Sequence, residues 1–368
     1  MPKIVIDARL YGLEHRGLGR YLVELINALV DQKSNFDFVL LINSANKSQP
    51  QNLPANFSLV PAPWRVYGLA EQFFLPRVLH KLKPDLVHFP HFTVPIFTRV
   101  PFVVTIHDLI LHHWPSSRAT TLPKWLYWFK MQVYYLVIKT AVKRARAIIT
   151  PSQTVAQEIA KIYSGTSHKI TAIPLAPSKL SKPIEINNLP VTFFLAVGAA
   201  YPHKNLERLL RAMLLVRQQL PAAKLIIVGR KDFFMDRLEK YSRQLKLDQV
   251  VHFWGEASEG ELAFLYSKAA AYVMPSLDEG FGLGPIEALA NQVPVVASDI
   301  PVLREILGEA AMFVDPLSEI DIAQGIIKII DSNIRIGLLS AAPAVLSNYS
   351  WDSVAQRTLD IYQSILNK

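Results

Sequence analysis

Apolar and polar positions alternate along the chain as short apolar runs separated by amphipathic stretches. In the second half the rhythm is regular. Runs that read as strands cover 192–198, 224–229, 250–254, 271–274, 293–297 and 311–314. Between them, helical spacing covers 205–219, 233–245, 258–268, 285–291 and 301–307. Strand, helix, strand in this order predicts a parallel sheet with crossover helices. The first half repeats the logic less cleanly, with strands expected at 3–7, 36–42, 86–89, 102–106, 147–150 and 170–173 and helices at 19–31, 69–81, 122–144 and 153–163. Residues 174–190, rich in Pro, Ser, Lys and Asn and without helical periodicity, read as a linker. The tail from Tyr349 reads as a capped amphipathic helix.

The expected fold class is therefore α/β, two doubly wound Rossmann-like domains facing across a cleft. The expected division is 1–173, a linker at 174–190, a second domain at 191–345, and a last helix at 346–368 that returns toward the first domain. A length of 368 residues, 51% of them hydrophobic, has room for two such cores. The absence of cysteine excludes a disulfide framework and a thiolate metal site. The charged, strand-like start does not read as a signal peptide, and no apolar run reaches the roughly 18 residues of a membrane span. A soluble, cytoplasmic protein is expected.

The net charge of +9 matters through its distribution. From Leu109 to Gln157 there is no acid, while Arg118, Lys124, Lys130, Lys139, Lys143, Arg144 and Arg146 are interleaved with Trp and Tyr. Two readings stand: peripheral contact with an anionic membrane surface through 109–157, or a helix packed on a sheet with lysines on its wet side. No motif for nucleic acid is present, and none is expected as a partner.

The densest chemistry lies in 275–298. Glu279 and Glu287 are separated by seven residues, and between them Gly280-Phe281-Gly282-Leu283-Gly284 forms a glycine-rich turn entering a helix. Such a turn aims bare backbone N–H groups and a helix N-terminus at one point, which suits a phosphate. The two acids suit hydroxyls on the same ligand. For Glu287 a plainer reading exists: with Gly284 as N-cap it would be the third helical residue and reach back to the cap. Glu279 follows an apolar run, at the carboxyl end of an expected strand, where open α/β sheets bind ligands.

Other positions extend the pattern. Gly198 ends the first strand of the second half, and Lys204 and Asn205 follow it into a helix. His107 follows the 102–106 run, a place for hydrogen bonding or proton transfer, although a lone His there is more often structural. His88, His91, His112 and His113 match no standard metal spacing, and no metal is expected. Gly17 and Gly19 half-match a dinucleotide fingerprint, but the loop is too long and no acid follows the second strand, which disfavours a nicotinamide cofactor.

Together these residues resemble retaining glycosyltransferases of the GT-B fold, family 4 type. The Glu279-x7-Glu287 element, Gly198 through Asn205, Ile6-Asp7-Ala8-Arg9 with Gly17-Leu18-Gly19, Thr105-Ile106-His107-Asp108, and Tyr349-Ser350-Trp351 carry the resemblance. It implies a nucleotide sugar as donor substrate, a saccharide or lipid-linked acceptor, and no cofactor. It also implies that Glu287 binds the ribose and Glu279 the sugar hydroxyls. Lys204 and the backbone of Gly282 and Leu283 would neutralise the diphosphate, and His107 would contact the sugar near its anomeric carbon. Gly17 and Gly19 would line the acceptor and phosphate side, and Gly198, Asn205, Arg230 and Gly255 complete the implied donor-binding set. Two departures appear: Ala199 and His203 stand where relatives often carry basic residues, which leaves more of the phosphate load to Lys204, with Arg230 or Lys231 as helpers. The surroundings of Pro202 and His107 resemble mannosyl- and rhamnosyltransferases most, making GDP-mannose the first donor expectation. The alternatives are a glycosidase or epimerase using the two acids as acid and base, or a non-catalytic nucleotide-sugar binder.

Overall fold

The computed structural model describes residues 1–46 and 48–367, which divide into two compact units. The first runs β1 (Lys3–Asp7), α1 (Arg16–Asp31), β2 (Asp37–Ile42), β3 (Phe57–Pro61), α2 (Leu69–Leu82), β4 (Leu86–Phe89), β5 (Phe102–Thr105), then past α3 (Ile110–His113) to α4 (Lys124–Arg144), β6 (Ala147–Thr150), α5 (Gln153–Ile162) and β7 (Ile170–Ala172). The second runs β8 (Phe193–Val197), α6 (Leu206–Gln219), β9 (Lys224–Val228), α7 (Phe233–Gln244), β10 (Val251–Gly255), α8 (Glu259–Lys268), β11 (Ala271–Met274), α9 (Leu283–Ala290), β12 (Val295–Ser298), α10 (Pro301–Leu307), β13 (Ala311–Val314), α11 (Glu319–Lys328) and α12 (Ser332–Leu346). The last helix, α13 (Trp351–Leu366), clusters with the first unit and lies along α1.

Both sheets are parallel throughout. The first has the order β3-β2-β1-β4-β5-β6-β7 and the second β10-β9-β8-β11-β12-β13. In each, the strand order reverses beside the unit's first strand, between β1 and β4 and between β8 and β11. The loops leaving those strands diverge there and open a crevice, the place where doubly wound sheets take ligands. The central strands are buried on both faces, as in Leu86-Val87-His88-Phe89 and Phe102-Val103-Val104-Thr105. In the second unit the apolar face of α6, including Leu209, Leu210 and Met213, packs with Leu225, Ile227, Val273 and Val296 and with Ile322 and Ile326 of α11.

Helix starts follow from local sequence. Asp232 caps α7, Ser258 and Glu261 form a reciprocal capping box on α8, and the Ser350 hydroxyl accepts from the Ser353 N–H on α13. Four elements were not expected: β3, α3, α11 and α12. The unit boundary also runs differently from the expected division. Residues 110–122 cluster with the second unit, and the first unit ends at Leu175. The segment read as a linker lies against the second unit, with the Ile184 N–H donating to the Gly260 carbonyl at 3.0 Å.

Candidate functional site

The second unit concentrates its chemistry at the β8/β11 reversal. Glu279 leaves β11 and is buried. Lys204, on a single 3-10 turn after β8, donates from Nζ to Glu279 Oε1 at 2.6 Å. Burial alone would raise the Glu279 carboxyl. The ammonium, with hydrogen bonds from Lys204 and Ser276, overcomes this and holds it below its ordinary value. Beside it His203 is pushed down to about 4, mainly by burial and then by Lys204, so it is neutral near pH 7. The Lys204 ammonium is thus the cation at this point, and its side chain stays a quarter exposed.

The turn that follows is shaped by close approaches. Gly282 adopts φ +103, a left-handed conformation that strains a residue with a Cβ, and is the N-cap of α9 without a side-chain cap. At Gly284 an added Cβ would sit 2.2 Å from the Tyr272 hydroxyl. The helix therefore begins at Leu283, with Gly284 second and Pro285 third. This overturns the capping reading of Glu287, which is the fifth helical residue and lies buried along the helix. Burial, then Glu287 and Glu279, raise the Tyr272 phenol. The first N–H groups of α9 have no intrahelical acceptors and carry the positive end of its dipole.

Gly198, Gly229 and Gly255 end the adjacent strands β8, β9 and β10. The Gly198 N–H donates to the Val228 carbonyl at 2.8 Å and the Gly229 N–H to the Gly255 carbonyl at 2.9 Å. A Cβ at Gly229 would meet the Gly198 carbonyl at 2.2 Å, whereas those at Gly198 and Gly255 would enter open space. Asn205 differs from expectation. Its amide donates to the carbonyls of Pro275 and Pro316 at 2.8 and 2.7 Å, and its oxygen accepts from Arg208 at 2.7 Å. The side chain ties together the loops after β11 and β13, which leaves it no amide proton for a ligand. Arg230 is exposed, 3.8 Å from Glu256.

A feature missed in the sequence adjoins this site. Residues 110–122 seat on the second unit through His113, whose Nδ1 lies 2.7 Å from Asp278 Oδ2, and through Arg118, which donates to Glu207 at 2.7 and 3.0 Å. Asp278 precedes Glu279 directly. Burial raises the Asp278 carboxyl, and His113 offsets part of that rise. No sequence signal pairs residues 165 positions apart.

In the first unit the β1/β4 reversal is built differently. Arg9 is fully buried. Its Nε and Nη2 each donate to Asp7 at 2.7 Å, Nη2 also donates to Glu71 at 3.0 Å, and Nη1 donates to the Trp64 carbonyl at 3.3 Å. Burial works against the Arg9 cation, but the two carboxylates leave it above its ordinary value. Glu71 is pushed up to about 7 by burial, against the pull of Arg9. Nearby, His88 bridges the Tyr362 hydroxyl at 2.6 Å and the Thr105 hydroxyl at 2.8 Å. His107 lies 2.9 Å from the Pro90 carbonyl through Nε2 and meets the Tyr21 ring edge-on at 4.6 Å between centroids. A carbonyl only accepts, so Nε2 carries the proton and Nδ1 keeps its lone pair. Burial lowers His107 to about 4 and His88 to about 3, so both are neutral near pH 7. Gly17 and Gly19 do not lie in a loop: α1 starts at Arg16 and includes both. Gly19 is required by packing, since a Cβ there would overlap the Gly12 carbonyl at 1.9 Å, while Gly17 faces open space.

Helix α4 carries features of both readings of the acid-free segment. One face, with Tyr127, Met131, Tyr134, Val137 and Ile138, is buried in the first unit. The outer face carries lysines but also Trp125, Trp128, Phe129, Val133 and Leu136, all exposed, Trp125 at 73%. Trp114, from the same acid-free run, belongs with the second unit. Among the described residues no single helix is long and apolar enough to cross a membrane, and no group of three or more His, Cys, Asp or Glu is placed to hold a metal ion.

Two Rossmann-like α/β units, one with an anion-suited strand reversal, define the GT-B class of glycosyltransferase. Residues 15–176 match the model of Glycosyltransferase Family 4 and residues 180–340 that of Glycosyl transferases group 1. The chain is 33% identical over 334 residues to the O-antigen chain mannosyltransferase RfbU of Salmonella typhimurium, covering 86% of this chain and 88% of that protein. It is 26% identical over 382 residues to O-antigen chain mannosyltransferase B of Escherichia coli, covering 94% and 96%. The solved structure of sucrose-phosphate synthase from Thermosynechococcus elongatus shares the fold with a TM-score of 0.79 at 20% identity, over 100% of both chains. WaaG, a glycosyltransferase involved in lipopolysaccharide biosynthesis, does so at 0.74 and 16%, over 98% and 99%. The chain belongs to the family 4, group 1 glycosyltransferases: it is a nucleotide-sugar-dependent enzyme that transfers a sugar to an acceptor.

Proposed function

We propose that the enzyme transfers mannose from GDP-mannose, with retention of anomeric configuration, to a glycan or lipid-linked acceptor at a membrane surface. The observation that carries the donor half is the Lys204–Glu279 pair at the β8/β11 reversal, beside the uncapped start of α9. As the bond between the anomeric carbon and the diphosphate breaks, charge grows on the leaving phosphate. Lys204 and the N–H groups of Gly282 and Leu283 are suited to receive it. Glu279 then takes the sugar hydroxyls and Glu287 the ribose. His107 contacts the sugar near the anomeric carbon, a role supported by its neutral ring and its free Nδ1 lone pair. Gly17, Gly19, Gly198, Gly255 and Arg230 line the substrates, and no metal is needed for the charge. A glycosidase reading would require one acid to hold a proton near pH 7, and Lys204 pulls Glu279 the other way.

Mannose is favoured by the mannosyltransferase relatives, which are similar over most of the chain. A membrane-borne acceptor is favoured by the apolar stripe and lysines on α4. The test is a thermal-shift and transfer panel of GDP-mannose, UDP-glucose and dTDP-rhamnose. A donor at 100 times its dissociation constant adds about 2.7 kcal/mol of stability. GDP-mannose should give the largest shift, and transfer should need an acceptor. A larger shift with a uridine or thymidine donor overturns the donor assignment, and release of free sugar without acceptor overturns the transferase reading.

A further inference from the structure

The single 3-10 turn Pro202–Lys204, between β8 and α6, carries two basic side chains, and Lys204 is only one of them. The other is His203. Its backbone is fixed. The Leu277 N–H, two residues before Glu279, donates to the His203 carbonyl at 2.7 Å, and Asn205 ties the same turn to Pro275 and Pro316. The His203 ring is partly buried. It lies nearly parallel to Tyr201, with 5.9 Å between centroids and 20° between planes, and Tyr201 is backed by Phe234 of α7. Among the described residues neither ring nitrogen of His203 has a hydrogen-bond partner. The imidazoles of the first unit differ: His88 meets two hydroxyls and His107 a carbonyl. A polar ring drawn out of water without hydrogen bonds is unfavourable, and such a group in a native structure points to a partner that arrives later.

The charges that face the ring are Lys204, on its own turn, and Glu279, from the loop after β11. They act in opposite directions. Burial and Lys204 prevail over Glu279, and the ring is neutral near pH 7. A diphosphate at Lys204 reverses this balance. It shares the ammonium and sets negative charge beside the turn, and both changes favour the imidazolium, whose two N–H groups then donate.

We propose that His203 takes up a proton from solvent when the nucleoside diphosphate binds, and holds the diphosphate as a second cation beside Lys204. The proposal rests on the reading of Lys204 as a diphosphate ligand and is independent of the base and sugar of the donor. The proton enters with the negative charge and leaves with the product. The empty site is thereby spared two like charges side by side, which would repel each other in a partly buried turn.

The test is titration calorimetry with GDP and UDP, continued with whichever binds more tightly, in two buffers of different ionisation heat at pH 6. The difference in heat counts the protons exchanged per nucleotide. The nucleotide's own terminal phosphate exchanges protons with parent and variant alike, so comparison with His203→Gln isolates the ring. The parent should take up roughly one-half to one proton more than the variant. From pH 5.5 to pH 7.5 the affinity of the parent divided by that of the variant should fall about tenfold, because the protonated ring is the one that binds. His203→Arg, a permanent cation, should keep the parent's affinity at low pH and lose this pH dependence. Thermal unfolding checks both variants, and if the arginine does not fold the glutamine decides alone. Equal proton counts in parent and His203→Gln, with parallel affinity profiles, overturn the proposal and leave His203 as packing for Tyr201. If Lys204→Ala loses affinity while His203→Gln still takes up the parent's proton, the His203 assignment alone falls. If Lys204→Ala binds the nucleotide as the parent does, or neither nucleotide binds the parent, the proposal falls together with the reading of Lys204.

Discussion

At the end of β11 the second unit buries a carboxylate against an ammonium. At the corresponding reversal the first unit buries a guanidinium between two carboxylates, near neutral imidazoles. The strand plans are alike, and the difference lies in what each charge can do next. Lys204 is partly exposed and its ammonium donates to Glu279, so an incoming phosphate can share it. Arg9 has no exposed surface, and its donors go to Asp7, Glu71 and the Trp64 carbonyl. One ion pair is arranged for exchange with a ligand and the other for holding the end of β1 to α2. A buried charge therefore identifies a ligand site only when its partner can be replaced.

The largest effect that probes this contrast belongs to the locked pair. Arg9→Met leaves two buried acids without their cation and should cost about 3–5 kcal/mol, read by urea unfolding, without a specific change in donor affinity in the folded fraction. A variant as stable as the parent would remove the contrast. Lys204→Ala should weaken nucleoside diphosphate binding by about 1.5–3 kcal/mol, the worth of a charge-assisted contact, and lower transfer with it. Titration calorimetry that finds parental affinity would show that Lys204 serves only Glu279. Smaller and more selective effects are expected at the acids. Glu279→Ala should act mainly on kcat, and Glu287→Gln should raise donor KM about tenfold with little change in kcat. Matching kinetics in the two variants would contradict the division between sugar and ribose.

The histidines give a smaller, pH-dependent effect. His88 faces Tyr362 and Thr105 and lies near His107, and its folded value of about 3 is below the ordinary 6.5. Between those values the unfolded chain binds the extra proton, so stability rises with pH across this window and is lost as pH falls below 6.5. His88→Gln, which can still meet both hydroxyls, should flatten the stability profile between pH 6 and 4 (about half of that window). An equally steep acid loss would assign it to other groups. Chelation is expected to have the least effect: transfer should persist in EDTA, and recovery only on adding magnesium or manganese would show that Lys204 and α9 do not suffice.

Much of this was legible from periodicity and punctuation. The twelve expected strands are present with ends moved by at most two residues, because buried parallel strands are short apolar runs with clear borders. β3 escaped because its exposed edge position and Pro61 weaken the pattern. α12 escaped because Pro343 lies inside it and few of its residues are buried. The start of α9 was misplaced because Gly282 gives no capping side chain to read. The Glu279–Lys204 contact was foreseeable from strand ends, but the bonds that occupy Asn205 and the His113–Asp278 pair depend on chain distances that no local pattern encodes.

The placement of α13 has a consequence for the order in which the molecule can be completed. The Tyr362 hydroxyl reaches His88 across 274 residues, and Arg357 donates to the Ala172 carbonyl across 185. In chain order the second unit, whose principal segment ends at Tyr349, is complete before these partners are added. The first unit, begun earlier, must wait with α1 uncovered and His88 unpaired until α13 arrives. The half of the enzyme that is made first is thus the half that matures last, and the nascent chain is most in need of protection at the surface that α13 will cover.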